Sequence, residues 1–114
     1  MIVRLYTGED GQSHFEDITG PWTLDDRGRE QTSVQDATGI RFTRYPVGYF
    51  SDWHTAPRRM YGIMLSGQVE CMVGDDPVQR WGPGDIVLEE DLTGQGHTNR
   101  VVGDEPLLVA FVRL

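Results

Sequence analysis

The sequence predicts an all-β protein built from many short strands. Apolar and polar residues alternate in short runs, and 14 Gly and 6 Pro residues divide the 114-residue chain into segments too short for most helices. Alternation is typical of strands with one buried face, and Gly, Pro, Asp and Asn favour the turns between strands. About nine or ten strands at such close spacing indicate a sandwich or a barrel.

The alternation gives the strands in order. Residues 22–38 are polar and irregular, which indicates mainly loop with a short strand near residues 31–34. A helix beginning at Thr23 is the alternative there, although Gly28 would interrupt it. The other predicted strands are residues 2–6, 14–18, 39–45, 59–65, 69–73, 78–81, 86–89, 97–102 and 107–114.

The charge of the chain argues against several functions. The net charge is −8, and all ten basic residues are Arg. Such a surface repels nucleic-acid phosphates, and no basic stripe offsets the repulsion. Cys71 is the only cysteine, so no disulfide can form within the chain, and its apolar neighbours predict a buried small hydrophobe. No apolar run approaches the roughly 20 residues of a membrane helix, and no signal peptide is visible, so we expect a cytoplasmic protein.

Two stretches contain the histidines that could carry chemistry. In residues 48–67, His54 stands six positions after Gly48 and thirteen positions before Gly67. In residues 83–99, Pro-Gly-Asp opens the stretch, and Gly94 stands three positions before His97. Each histidine lies among residues typical of strands, so each side chain has a fixed direction on its sheet.

These stretches resemble the two sequence motifs of the cupin superfamily. The resemblance covers residues 39–114, and the segment around residues 90–97 is similar to small single-domain bacterial cupins. It implies a cupin-type jelly-roll β-barrel, or double-stranded β-helix, with a central pocket. The whole chain, residues 1–114, would form one domain, in which residues 1–38 add N-terminal strands and a loop to the barrel core of residues 39–114.

The resemblance also implies a metal site, which this chain keeps only in part. Cupin sites use three His and one Glu, and here His54 and His97 match two of these positions while Ala56 and Met60 occupy the other two. Two imidazoles alone would bind a divalent metal such as Zn, Ni, Fe or Mn only weakly. Further ligands would have to come from other side chains; the candidates are His14, Glu16, Glu89 and Asp91.

Alternation predicts which side chains line the pocket. The inward positions of the first stretch are His54, Ala56, Met60, Gly62 and Met64, which would form an apolar wall around the histidine. Ordinary barrel packing would give the same pattern.

At the predicted mouth, Tyr45 would contact a ligand, and Arg59 with Arg58 would bind a carboxylate. A solvated rim that neutralises nearby acids is the alternative for this arginine pair.

Three functions fit these residues. The first is the binding of a small organic molecule, with a carboxylate as one possible group, in a pocket lined by His54 and His97. The second is a metal-dependent oxygenase or isomerase. The third is a metal-free isomerase, cyclase or lyase with these histidines as acid and base and Asp91 orienting His97.

We also expect a homodimer, with residues 2–6 crossing to the partner.

Overall fold

The computed structural model describes residues 1–114, which form twelve β-strands and no helix. In chain order the strands are β1 (Ile2–Thr7), β2 (Ser13–Asp17), β3 (Thr23–Leu24), β4 (Glu30–Gln31), β5 (Gly39–Tyr45), β6 (Phe50–His54), β7 (Met60–Ser66), β8 (Gln68–Met72), β9 (Gln79–Trp81), β10 (Ile86–Glu90), β11 (His97–Val102) and β12 (Leu107–Arg113). The prediction of an all-β chain is confirmed.

Two sheets enclose the core. The larger has six strands in the order β2-β1-β10-β7-β12-β5, and the smaller has four in the order β6-β11-β8-β9. The sheets do not join into one closed barrel, and β3 and β4 form a separate hairpin. Each sheet contributes alternate apolar side chains to one buried cluster; Leu5, Met64 and Val109 come from the larger sheet, and Val69 and Trp81 from the smaller.

Most predicted strands agree with the observed ones to within two residues. Gly39–Tyr45 and His97–Val102 have the predicted bounds. The strand Phe50–His54 was missed because its side chains are mostly exposed and show no regular alternation. The short strand expected at residues 31–34 is instead Glu30–Gln31, the second half of the β3–β4 hairpin.

The N-terminal strand is part of the main sheet. β1 pairs antiparallel with β2 on one side and parallel with β10 on the other. Its residues Val3 and Leu5 are buried in the core, so β1 shares the core with the rest of the chain. Because both edges of β1 are used within its own chain, the expected crossing of residues 2–6 to a partner does not fit this pairing. The free edges of the larger sheet are β2 and β5.

Cys71 is fully buried on β8, and its burial raises the pKa of the thiol well above its usual range. It fills the core as a small hydrophobe. The structure contains no helix that could span a membrane.

Candidate functional site

A cavity of about 140 Å³ lies between the two sheets. Ten of its fifteen lining residues are apolar or aromatic. The five polar ones are Ser51, His54, Glu89, His97 and Asn99. A mainly apolar cavity with a few polar groups is the usual form of a small-molecule site.

The two histidines lie side by side on neighbouring strands of the smaller sheet. β11 and β6 are antiparallel with His97 opposite His54, and the ring centroids are 4.4 Å apart. Gly96 allows this approach, because a Cβ at that position would lie 2.0 Å from the carbonyl oxygen of His54. Its φ of +76° also lies in the left-handed region that favours glycine.

His54 uses one ring nitrogen to fix its own position. Its Nδ1 lies 2.7 Å from the carbonyl oxygen of Asp52 and 3.2 Å from the hydroxyl oxygen of Ser51. The carbonyl can only accept, so Nδ1 carries the proton in this contact. The ring is half-buried and forms part of the cavity wall.

A buried hydrogen-bonded chain holds His97. Oδ2 of Asp91 lies 2.6 Å from Nδ1 of His97, and the hydroxyl of Ser13 donates to the same oxygen at 2.7 Å. Asp91 and Ser13 are completely buried, and His97 is 1% exposed. The carboxylate accepts the Nδ1 proton, which leaves the lone pair of a neutral imidazole on Nε2.

Nε2 of His97 has no hydrogen-bond partner although it is buried. Few buried polar atoms in folded proteins lack a hydrogen-bond partner. Those that do are often found at sites that bind a ligand or carry out chemistry. His97 is one of the residues that line the cavity, so this nitrogen lies in the wall beside it.

Glu89 is the second titratable group beside this nitrogen. Its Oε1 lies 3.8 Å from Nε2 of His97, and its side chain is 13% exposed. Burial of the carboxyl raises its pKa to about 7, the charge of Asp91 adds to the rise, and His97 opposes it. A carboxyl with this pKa can give or accept a proton near neutrality.

The predicted pocket residues are not all in the cavity wall. His54, His97, Met64 and Tyr45 line the cavity. Gly62 faces the same interior, but the space beside it is already filled by Met64 and by other core side chains, so it adds no volume.

Three further predicted residues lie elsewhere, which corrects the predicted wall. Ala56 is buried behind the cavity, where its amide donates to the carbonyl of Asp91. Met60 begins β7 on the inward face but lies beyond the end of the cavity, in a separate depression. The guanidinium of Arg59 pairs with the carboxylate of Glu90 instead of facing the mouth.

The other candidate ligands are also engaged outside the cavity. His14 lies between the carboxylates of Asp10 and Asp76, and Glu16 pairs with Arg4. Asp91 contacts His97 on the side away from the cavity. Of these candidates, only Glu89 lines the cavity with the histidines.

The sequence analysis missed Ser13, Ser51 and Asn99. It named Glu89 only as a candidate additional metal ligand. Alternation along β10 could have found Glu89, because it shares a face with the buried Val87. No sequence signal connects Ser13 with Asp91, which lie 78 positions apart.

The site does not fit the metal centre that the resemblance implies. No group of three or more His, Cys, Asp or Glu side chains is arranged to hold a metal ion. His54, His97 and Glu89 border one wall, but Ala56 and Met60, which stand at the other two ligand positions, lie outside the cavity.

Comparison with known proteins gives structural matches. No protein-family model matches the chain, and no curated protein matches its sequence. Among solved structures, the DMSP lyase DddQ from Ruegeria pomeroyi DSS-3 aligns with a TM-score of 0.54 and 21% identity. The alignment covers 80% of this chain and 44% of the lyase, so the chain spans less than half of that protein.

Two other structures have similar scores. A cupin 2 conserved barrel domain protein from Salinispora arenicola CNS-205 aligns with a TM-score of 0.52 and 20% identity, over 81% of this chain and 79% of that one. Drosophila melanogaster CENP-C, solved bound to CAL1, aligns with a TM-score of 0.52 and 12% identity, over 82% and 79%. At these identities the likeness concerns the fold.

Proposed function

Since the chain has the cupin fold, we propose that it binds a small organic molecule in the cavity between its sheets and moves a proton on that molecule with His97. The observation that carries the proposal is the buried, unpartnered Nε2 of His97, a residue that lines the cavity and whose Nδ1 is held by Asp91.

The buried contacts favour His97 as the base. A histidine acts as a general base when one nitrogen carries a lone pair toward the substrate and the other is held by an acceptor. Asp91 supplies that acceptor, and Ser13 fixes the carboxylate. The negative charge of Asp91 would also stabilise the imidazolium that forms when Nε2 takes a proton.

Glu89 supports a paired transfer. The simplest step takes a proton from a carbon next to a carbonyl group onto Nε2 of His97, while the protonated carboxyl of Glu89 gives its proton to the carbonyl oxygen. The products are an enol, an imidazolium and a carboxylate, so protons and charge balance. Isomerisation, cyclisation and elimination can all begin in this way.

The cavity limits the size of the ligand. A cavity of about 150 Å³ accommodates a benzene ring, and this one measures about 140 Å³. The part of the ligand inside should therefore have roughly six to eight non-hydrogen atoms and a largely apolar surface.

Solvent-deuterium exchange tests this function without knowledge of the natural substrate. Small ketones and hydroxy acids are incubated with the protein in deuterium oxide, and NMR records both the loss of their C–H signals and the shifts of cavity residues. We expect exchange in at least one compound and its loss in His97→Gln. Exchange that persists in His97→Gln, or the absence of cavity shifts with every compound, would refute the proposal.

Binding without chemistry is the second candidate, because ten of the fifteen lining residues are apolar or aromatic. It predicts cavity shifts without deuterium exchange in the same experiment. This outcome would assign the protein to ligand carriers or sensors.

A further inference from the structure

Three arginines meet in a depression beside the cavity. Arg41 from β5, Arg58 from the segment before β7, and Arg113 from β12 line this surface, which we call the arginine depression. Its other lining residues are Thr43, Tyr45, Pro57, Met60 and Phe111. None of the eight is acidic.

The depression adjoins the cavity. Tyr45 and Phe111 line both. Arg41 lies four positions before Tyr45 on β5, and Arg113 lies two positions after Phe111 on β12. Residues an even number of positions apart share a face of a strand, so both arginines extend the inward face of the larger sheet beyond the cavity.

The charge of these arginines is not balanced within the chain. No carboxylate lies within ion-pair distance of Arg41, Arg58 or Arg113. Four other arginines are paired with carboxylates: Arg4, Arg29, Arg59 and Arg80. The chain has 18 acidic residues for 10 arginines, so the gathering of three unpaired guanidinium groups needs an explanation.

The cavity has the opposite character. It contains no Arg or Lys, and its one acidic side chain is Glu89. An anionic group is therefore disfavoured inside the cavity and favoured at the depression. Guanidinium groups bind carboxylate and phosphate oxygens through two parallel hydrogen bonds, so they would hold such a group in a fixed orientation.

We infer that the ligand is a small organic oxyanion, whose carboxylate or phosphate is bound by Arg41, Arg58 and Arg113 while its uncharged body occupies the cavity. This inference rests on the proposed function, because it names the class of molecule on which His97 acts. The depression then fixes which end of the ligand enters and directs the uncharged body toward His97.

The first experiment measures the binding of the anionic group separately from the binding of the uncharged body of the ligand. Acetate and inorganic phosphate are titrated against the protein, and NMR follows the Nε–H signals of the arginines. Phenylacetate and the neutral phenylacetamide are then titrated in the same way, and signals of cavity residues are followed too. We expect both simple anions to shift the three arginine signals, and phenylacetate to bind at least about tenfold more tightly than phenylacetamide.

The second experiment uses matched variants. Arg41→Gln, Arg58→Gln and Arg113→Gln each remove one charge from the depression. Arg44→Gln removes one charge from the same strand as Arg41 but from its other, exposed face, where Arg44 has no carboxylate partner. We expect each of the first three to weaken phenylacetate about three- to tenfold, and Arg44→Gln to change it little. Affinity for phenylacetamide should stay constant in all four.

The outcomes distinguish the anion site at the arginines from the binding site in the cavity. In one outcome, the anions shift the NMR signals of the arginines, but neither phenyl compound shifts the signals of cavity residues. This result would support the anion site and refute the proposed pocket. In another outcome, the two phenyl compounds bind equally well and none of the three substitutions changes their affinity. This result would support the pocket and overturn the anion site. Conversion of a dimer into a monomer by Arg58→Gln or Arg113→Gln would also overturn it, since these arginines would then belong to a subunit interface.

Discussion

His97 donates its Nδ1 proton to Asp91 across 2.6 Å, and both side chains are excluded from solvent. A buried carboxylate–imidazole pair leaves the ring only one free nitrogen, Nε2, which is buried without a partner, and His97 is one of the residues that line the cavity. The direction of proton transfer follows from this arrangement: protons enter and leave through Nε2.

Asp91→Asn should remove most of the activity while the ring stays in place. The amide can donate its N–H to Nδ1 and so favour the tautomer with the proton on Nε2, where a base cannot act. We expect deuterium exchange to fall on the order of 10² to 10⁴-fold. Nitrogen-15 NMR of His97 should show the changed tautomer.

Two variants provide controls for that result. Asp104→Asn changes the same charge at an exposed turn and should leave exchange unaltered. Ser13→Ala removes one hydroxyl from Asp91, should cost about 1 kcal/mol of stability, and should reduce exchange much less than Asp91→Asn. An Asp91→Asn protein with full exchange and an unchanged tautomer would refute the role of the pair.

Glu89→Gln should stabilise the protein more at pH 8 than at pH 5. The pKa of Glu89 rises from 4.5 to about 7 on folding. The folded state therefore favours the protonated carboxyl, and the cost of ionising it grows as pH rises from 4.5 to 7 and stays constant above. The change in pKa from 4.5 to about 7 corresponds to a cost on the order of 3 kcal/mol, which Gln avoids.

Urea unfolding of both proteins at pH 5 and pH 8 measures this difference. Glu105→Gln, at an exposed position, controls for the change in net charge and should show almost no pH-dependent difference. A Glu89→Gln effect that is equal at the two pH values would mean that the carboxyl titrates as an exposed group does.

Metal binding should be weak. Protein purified without added metal should contain well under one equivalent of Zn, Ni, Fe or Mn by elemental analysis, because only His54, His97 and Glu89 border the cavity. Excess Zn or Ni should raise the melting temperature by roughly 2–5 °C, because a metal that binds only the folded state stabilises it by mass action.

His97→Ala should abolish that rise, and His14→Gln should keep it, since His14 lies outside the cavity between two carboxylates. Near-stoichiometric metal that survives prolonged dialysis against a chelator would contradict the weak site. The metal-dependent hypothesis would then take first place.

A homodimer remains our prediction, and the structure suggests β5 as the contact strand. Ile40 and Phe42 on this edge strand are 61% and 64% exposed. Phe42→Arg should shift sedimentation toward the monomer at micromolar concentration. Val34→Arg is the control, because Val34 is 98% exposed but lies outside the sheets. A monomeric unmodified protein would end this prediction.

The sequence predicted the parts of the molecule that depend on local pattern. Clean alternation between turn residues located β5 and β11. The spacing of the two motifs indicated that His54 and His97 belong to one site. The contact between Ser13 and Asp91 joins segments 78 positions apart, and no local pattern contains it. Alternation did place Met60 on the correct face, but it cannot tell how far along a strand the cavity extends.

The raised pKa of Glu89 and the arginine depression were missed for the same reason. Burial and charge balance depend on which segments meet in the folded chain. Arg41, Arg58 and Arg113 come from three separate segments, and each looks like an ordinary surface residue in its own sequence context.

The parallel pairing of β1 with β10 has a consequence for how the protein folds. Ile2 pairs with Ile86 and Tyr6 with Glu90, so the first strand cannot reach its place between neighbours until most of the chain has been made. Contacts between such distant segments slow folding, because a large loop must close before they form. The same loop closure brings Ser13 on β2 into contact with Asp91. The step that completes the larger sheet therefore also fixes His97, and a partly folded chain should be inactive as well as unstable.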